Sequence, residues 1–208
     1  MGRPREFDER AVLDATVLCF WKLGYEGTSV RDLISETGLT GASLYNAFGD
    51  KRALYRRSLE HYVEVSVAER IRRCAGMAPR AAIENFFGDI LERSLTDTDE
   101  KGCMLVNAAL ETSPRDPEFR QVVAEVTERI EAFFLRCLER GLRDSSIELA
   151  LASNDVARNL LATLMGVRVL ARARPDRNLL EGAIRSALSM LGPVSGPHGE
   201  AVATSSIS

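Results

Sequence analysis

Thr40, Ser43, Tyr45, Asn46 and Lys51 are the side chains of this sequence best spaced to act on something outside the chain. They fall in the run TGASLYNAFGDK, where Leu44 and Phe48 stand four apart and share the inward face of a helix. Gly41, Ala42, Ser43, Tyr45 and Asn46 are then left facing outward. A primary amide such as Asn46 can make paired hydrogen bonds to an adenine edge, a contact worth ~1–3 kcal/mol of discrimination. Tyr45 and Lys51 suit phosphate oxygens, which position a protein on a duplex without reading it. This set suits the reading of a duplex rather than the breaking of a bond.

The elements that position these residues are legible around them. Ser29 reads as a helix cap whose oxygen accepts an amide hydrogen of the open first turn, with Asp32 three residues on to complete a capping box. Val30, Leu33 and Ile34 then give one buried face. Gly38 stands where a helix ends in a left-handed residue, and Thr40 or Gly41 starts the next helix. Two short helices joined by a tight glycine turn make a helix-turn-helix at about residues 29–48, whose second helix is built for a major groove. Upstream, Arg3 and Arg5 flank Pro4 in a basic arm suited to phosphates or a narrow minor groove. Phe7 or Asp8 begins a first helix with apolar positions at Ala11, Ala15, Leu18, Phe20 and Trp21, and with Gly24 as its stop.

The run GLTGASLYNAFGDK, together with Phe20, the Gly24–Tyr25 pair and Thr28, resembles the DNA-reading segment of the TetR family of bacterial transcriptional repressors. Asn46 and Ala47 replace the larger side chains common there, which leaves the operator sequence open. The resemblance implies an N-terminal head that binds double-stranded operator DNA. It also implies a helical C-terminal domain that takes a small-molecule effector and forms a homodimer through its last two long helices. The expected DNA-facing set is Arg3, Arg5, Ser29, Thr40, Gly41, Ala42, Ser43, Tyr45, Asn46 and Lys51.

Beyond the motif the chain reads as all-α, with about nine helices. Residues 1–50 form the DNA-binding domain, residues 51–191 the effector-binding and dimerisation domain, and residues 192–208 a disordered tail rich in Gly, Pro, Ser and Ala. Asp50 caps a helix expected to run into the low seventies, linking head to body. Pro79 suits the first turn of the next, with Ile83, Phe86, Phe87, Ile90 and Leu91 on one face. Residues 102–112 are a short, nearly all-apolar helix. From Glu118 a long amphipathic helix carries Phe133, Phe134 and Cys137 and is expected to close at Gly141. Phe86, Phe87, Phe133 and Phe134 are the expected effector-pocket side chains. Residues 153–174 and 176–191 are apolar on more than one face, which points to a partner subunit. Leu160, Leu164, Leu180, Ile184 and Leu188 are the expected interface.

Composition bounds the remaining choices. The 208 residues carry a net charge of −3, and residues 1–60 balance nine cations with nine anions. DNA binding must then rest on local placement of cations rather than a domain-wide field. Four well-separated cysteines with no CxxC pair fit neither a zinc site nor a disulfide framework and suit a reduced cytoplasm. No apolar run is long enough for a membrane span, and no metal or cofactor is expected. Only two histidines are present, His61 and His198, with no GxSxG, phosphate-binding glycine loop or HExxH. An enzyme is therefore not expected. Two further readings remain open: an architectural DNA binder without ligand, and a repressor switched by modification of Cys103. That cysteine stands at the expected N-terminus of the short apolar helix, beside Lys101, where a thiolate is favoured. The plain alternative is that Cys103 is a small core residue. Cys137, on an apolar stripe, is expected to stay neutral.

Overall fold

The computed structural model describes residues 7–96 and 102–192, so Arg3, Arg5, Lys101 and residues 193–208 lie outside the described residues. The head begins with α1 (Glu9–Gly27), capped by Asp8, whose carboxylate accepts from the Arg10 and Ala11 amides. The motif follows as α2 (Val30–Thr37) and α3 (Gly41–Phe48). Gly38 takes φ 69° and donates its amide to Ile34 O at 3.0 Å, ending α2 with the left-handed residue that the turn requires. The core of this head is Phe20, Leu33, Leu44, Phe48, Leu54 and Tyr55. Phe20 meets Tyr55 edge-on at 4.9 Å between centroids.

On α1 the buried face is Val12, Leu13, Thr16, Val17, Cys19 and Phe20, while Ala11 and Leu18 face outward, contrary to the sequence expectation. The helix is rotated because α4 covers the Val12–Thr16–Phe20 side. Thr16 and Ser58 share a buried hydroxyl contact of 2.8 Å there.

Asp50 caps α4 (Lys51–Tyr62), which continues through a π-helical turn (Val63–Ala68) into α5 (Glu69–Ala75). Residues 51–75 thus form one rod running from the head into the body, as expected. The π turn is the feature that periodicity did not disclose. The wider turn changes which residues face inward below it.

The body contains α6 (Pro79–Leu95), α7 (Met104–Glu111), α8 (Pro117–Arg143), α9 (Ser153–Ala173) and α10 (Arg177–Leu188), which ends in a 3₁₀ turn (Ser189–Leu191). Pro79 and Pro117 occupy helix first positions. The helix expected to stop at Gly141 runs two residues further, to Arg143. Counting residues 51–75 as one rod, the described residues hold nine α-helical elements and no strand. Phe86, Phe87, Phe133 and Phe134 form a stacked aromatic centre between α6 and α8, with Phe87 parallel to Phe134 at 5.7 Å.

The expected interface residues are differently placed. Leu160 and Leu180 are 0% exposed and Leu164 3% within a single chain, and Ile184 is also buried. They hold α9 and α10 onto α6 and α8 and have no surface left to offer a partner. Only Leu188 of that set is half-buried. The outward faces of these helices carry small and modestly apolar residues instead: Asn159, Thr163, Gly166 and Leu170 on α9, and Ala183, Ser186 and Met190 beyond them, which together line one groove.

Candidate nucleic-acid interface and its link to an internal cavity

The outer side of the motif is held rigid by its own caps. Ser29 Oγ accepts from the Asp32 amide at 3.2 Å, and the Asp32 carboxylate accepts from the Ser29 amide at 2.8 Å and from its hydroxyl at 2.6 Å. These bonds from the Ser29 side chain and backbone hold the Asp32 carboxyl below its ordinary range. Thr40 Oγ1 accepts from the Ser43 amide at 3.1 Å and donates to Ser43 Oγ at 2.9 Å, so the two hydroxyls are paired at the open end of α3. Ala42, Ser43 and Asn46 are exposed, Gly41 and Tyr45 half-buried. Burial, with Asp50 nearby, pushes the Tyr45 phenol up and keeps it a neutral donor. Thr40 caps α3, Gly41, Ala42, Ser43, Tyr45 and Asn46 lie on it, and Lys51 opens α4.

Lys51 is the exception in posture. Its Nζ lies 4.7 Å from the centroid of the Tyr25 ring, a cation–π contact that fixes where the ammonium points. Arg52 and Arg56 are committed elsewhere. Arg52 forks onto Asp116 at 2.6 and 3.0 Å and also reaches Glu118, while Arg56 bridges Glu118 and Glu60. These arginines tie the start of α4 to the start of α8.

A second link crosses 86 residues of sequence. The Tyr25 amide donates to Glu111 Oε2 at 3.0 Å, just after Gly24, whose φ of 75° and ψ of 171° kink the end of α1. Tyr25 also packs against Tyr55 and Phe119. The far end of α7 thereby holds the head.

The near end of α7 borders a cavity of about 200 Å³ inside the body. Its wall is built by Trp21 from α1, Tyr62, Ser66 and Val67 from the rod and its π turn, Arg70 from α5, and Phe86 and Ile90 from α6. Arg93 and Thr96 at the end of α6, Leu105 from α7, Ile130 from α8, and Leu164, Met165 and Arg168 from α9 also line it. Of the four expected pocket phenylalanines, Phe86 lines this cavity. Phe87, Phe133 and Phe134 belong to the packed aromatic centre behind it. Cys103 lies on the cavity wall, buried, at the capping position of α7 with extended backbone (φ −133°) rather than within its first turn. Its Sγ is 3.5 Å from the Tyr62 hydroxyl. Burial and the neighbouring Cys103 push the Tyr62 phenol far up, so it is neutral at physiological pH. Burial likewise raises the Cys137 thiol to about 11, as its place on an apolar stripe implied.

Sequence reasoning missed Trp21, Tyr62, Arg70 and Arg168 as cavity residues. A signal existed for the arginines. Arg168 falls four residues after Leu164 and three before Ala171 on the buried face of α9, and Arg70 falls three after Val67 and four before Cys74. A cation at an inward helical position requires a reason.

A helix-turn-helix head on a rigid rod, latched to a helical body that encloses a cavity, defines a DNA-binding transcriptional regulator. Residues 12–57 match the family of bacterial regulatory proteins, tetR family, and residues 79–187 match the tetracyclin repressor-like C-terminal domain. The sequence is 31% identical over 197 residues to the uncharacterized HTH-type transcriptional regulator YezE of Bacillus subtilis (strain 168), across 92% of this chain and 100% of that one. It is 32% identical over 115 residues to the HTH-type transcriptional repressor ComR of Escherichia coli (strain K12), covering 54% and 55% of the two chains. Among solved structures it superposes with a TM-score of 0.80 on a cysteine mutant of the TetR family transcriptional regulator CifR complexed with 26 bp double-strand operator DNA. That chain is 28% identical, with 91% of this chain and 100% of that one covered. The chain belongs to the TetR family. Its family and fold are those of transcriptional regulators, and no helix among the described residues is long and apolar enough to cross a membrane.

Proposed function

We propose that this chain is a homodimeric repressor that grips a palindromic operator through α3 and lets go when a small molecule fills the internal cavity. The head of residues 1–50 reads the duplex, and residues 51–191 take the effector and dimerise. One observation carries the reading: the cavity shares its walls with the elements that hold the head. Trp21 belongs to the last turns of α1, the π turn belongs to the rod, and α7 runs from the cavity to the Glu111 latch on Tyr25. An occupant that favours one setting of α7 and the rod therefore favours one separation of the two heads. The ligand-free architectural alternative leaves this cavity without an occupant.

The subunit contact that supports two heads is the groove of small residues on α9 and α10, centred on Gly166 and Ala183. Half-sites about one DNA turn apart, ~34–36 Å, follow from a two-fold axis. The experiment selects binding sites from random duplexes, footprints the winner, and repeats the gel shift with extracts of ligands retained by the purified protein. A single palindrome released by one fraction is the expected result. Coverage regardless of sequence, or no fraction that releases DNA, would overturn the reading.

A second route to the same release is favoured by Cys103 lying on the cavity wall. An α,β-unsaturated carbonyl small enough to enter would add there, forming a carbon–sulfur bond and passing the thiol proton to the α-carbon. Alkylation mapping with the Cys103→Ser variant separates this from reversible binding.

A further inference from the structure

We propose that the cavity selects an organic anion: a carboxylate on an apolar body about the size of one substituted aromatic ring or a short acyl chain. The proposal rests on the reading of the cavity as the effector site and adds the chemistry of its occupant. Two buried guanidiniums carry the argument. Arg70 enters from α5 and Arg168 from α9, 5% and 7% exposed. Among the described residues neither has a carboxylate within hydrogen-bond distance. Arg70 makes no hydrogen bond to any described residue, and its Nε is buried without one. The nearest carboxylate, Asp89, is 3.8 Å from that Nε and makes its close ion pair with Arg73 on the outside. Among the described residues Arg168 donates to neutral oxygens, Ser94 Oγ at 2.8 Å and the Gly102 carbonyl. No aspartate or glutamate is among the described residues that line the cavity, and Arg93 adds a third cation there.

Physical chemistry makes this arrangement incomplete as it stands. A charge taken out of water is tolerated when it is paired and hydrogen-bonded. Burial, then the like charges of Arg93 and Arg168, press the Arg70 guanidinium down to about 10, which still leaves it a cation at neutral pH. One face of Arg70 lies over the Phe86 ring at 5.4 Å, leaving the edge of the fork for an acceptor. A guanidinium edge matches a carboxylate, with two parallel hydrogen bonds. Tyr62, held neutral, supplies a further hydroxyl donor. The rest of the wall, Phe86, Ile90, Leu164 and Met165, is apolar and suits a hydrocarbon body. For scale, an apolar cavity of roughly 150 Å³ holds benzene, and this one is about 200 Å³ with polar groups at one side.

The test titrates the protein of residues 1–208 calorimetrically with benzoate and octanoate against their neutral isosteres benzamide and octanamide. Each acid is expected to bind at least about tenfold tighter than its amide, the effect of a charge-assisted hydrogen bond replacing a neutral one. Arg70→Gln should bring that ratio close to one while leaving amide affinity within about threefold. Amides that bind as well as the acids to the wild-type protein, or acids that fail to bind at millimolar concentration, overturn the proposal without need of a variant. DNA release is read separately by anisotropy on the selected operator. Acids that bind preferentially without releasing DNA support the anion site and refute the effector reading. Release by acid and amide alike at equal affinity refutes the anion site and leaves the effector reading standing.

Discussion

The latch between Gly24–Tyr25 and Glu111 makes the sharpest prediction about how head and body are joined. Replacing Glu111 with Ala strands the Tyr25 amide, a partly buried donor that now gives its hydrogen to Oε2 at 3.0 Å. Losing such a partner costs about 1–3 kcal/mol. Replacing Gly24 with Ala acts on the same contact from the other side. Its φ of 75° with ψ of 171° is a conformation almost confined to glycine, costing a side-chain-bearing residue of order 1–3 kcal/mol. The new Cβ would also stand 2.8 Å from Glu111 Oε2, so the carboxylate must move and the hydrogen bond goes with it. Gly24→Ala should therefore cost roughly 2–6 kcal/mol, the strain and the lost bond together. For a chain of this size that lowers Tm by roughly 4–24 °C. In a Glu111→Ala background the same substitution should cost only the backbone part, so a double-mutant cycle should return a coupling of about 1–3 kcal/mol. Calorimetric melts of the four proteins measure it. Strict additivity would refute the claim that Glu111 and Gly24 act through one contact, and an unchanged Tm for Glu111→Ala would refute the latch itself.

Other expectations can be checked alongside. Asn46→Ala should lose about 1–3 kcal/mol of discrimination at one base pair of the selected operator, whereas Lys51→Ala should weaken all sequences alike and reduce the salt slope by about one; anisotropy titrations over a salt series distinguish them. Gly166→Arg fills open space in the α9–α10 groove and should convert the proposed dimer to a folded monomer in sedimentation, while Ile184→Asp, buried within one chain, should unfold the body instead. A carboxyl held below its ordinary range contributes stability that is present above its unfolded pKa and lost as pH falls through its folded one. The melting advantage of wild type over Asp32→Asn should accordingly be full at neutral pH and shrink from about pH 5 downward; a constant difference would exclude the capping carboxylate as its source.

What the amino-acid sequence determined by itself is the set of features whose physics acts over three or four residues. Ser29 with Asp32, Thr40, Asp50 and Gly38 announce helix ends because a cap or a left-handed turn is a contact between near neighbours in sequence. Leu44 and Phe48 orient α3 the same way, and so the outward set around Asn46 was legible. The face that each helix buries depended on partners far along the chain. Ala11 and Leu18 of α1 turn outward because α4 covers the opposite side, and Leu160, Leu164 and Leu180 turn inward because α6 and α8 lie there. An apolar residue looks alike in sequence whether it meets its own chain or a second copy. The cavity was hidden for the same reason: α1, the π turn and six further helices each supply a part, and the π turn breaks the 3.6-residue period from which faces are read. Arg70 and Arg168 were visible as cations in buried registers, yet only the tertiary structure brought them to one cavity, and only it set Glu111 against the amide of Tyr25.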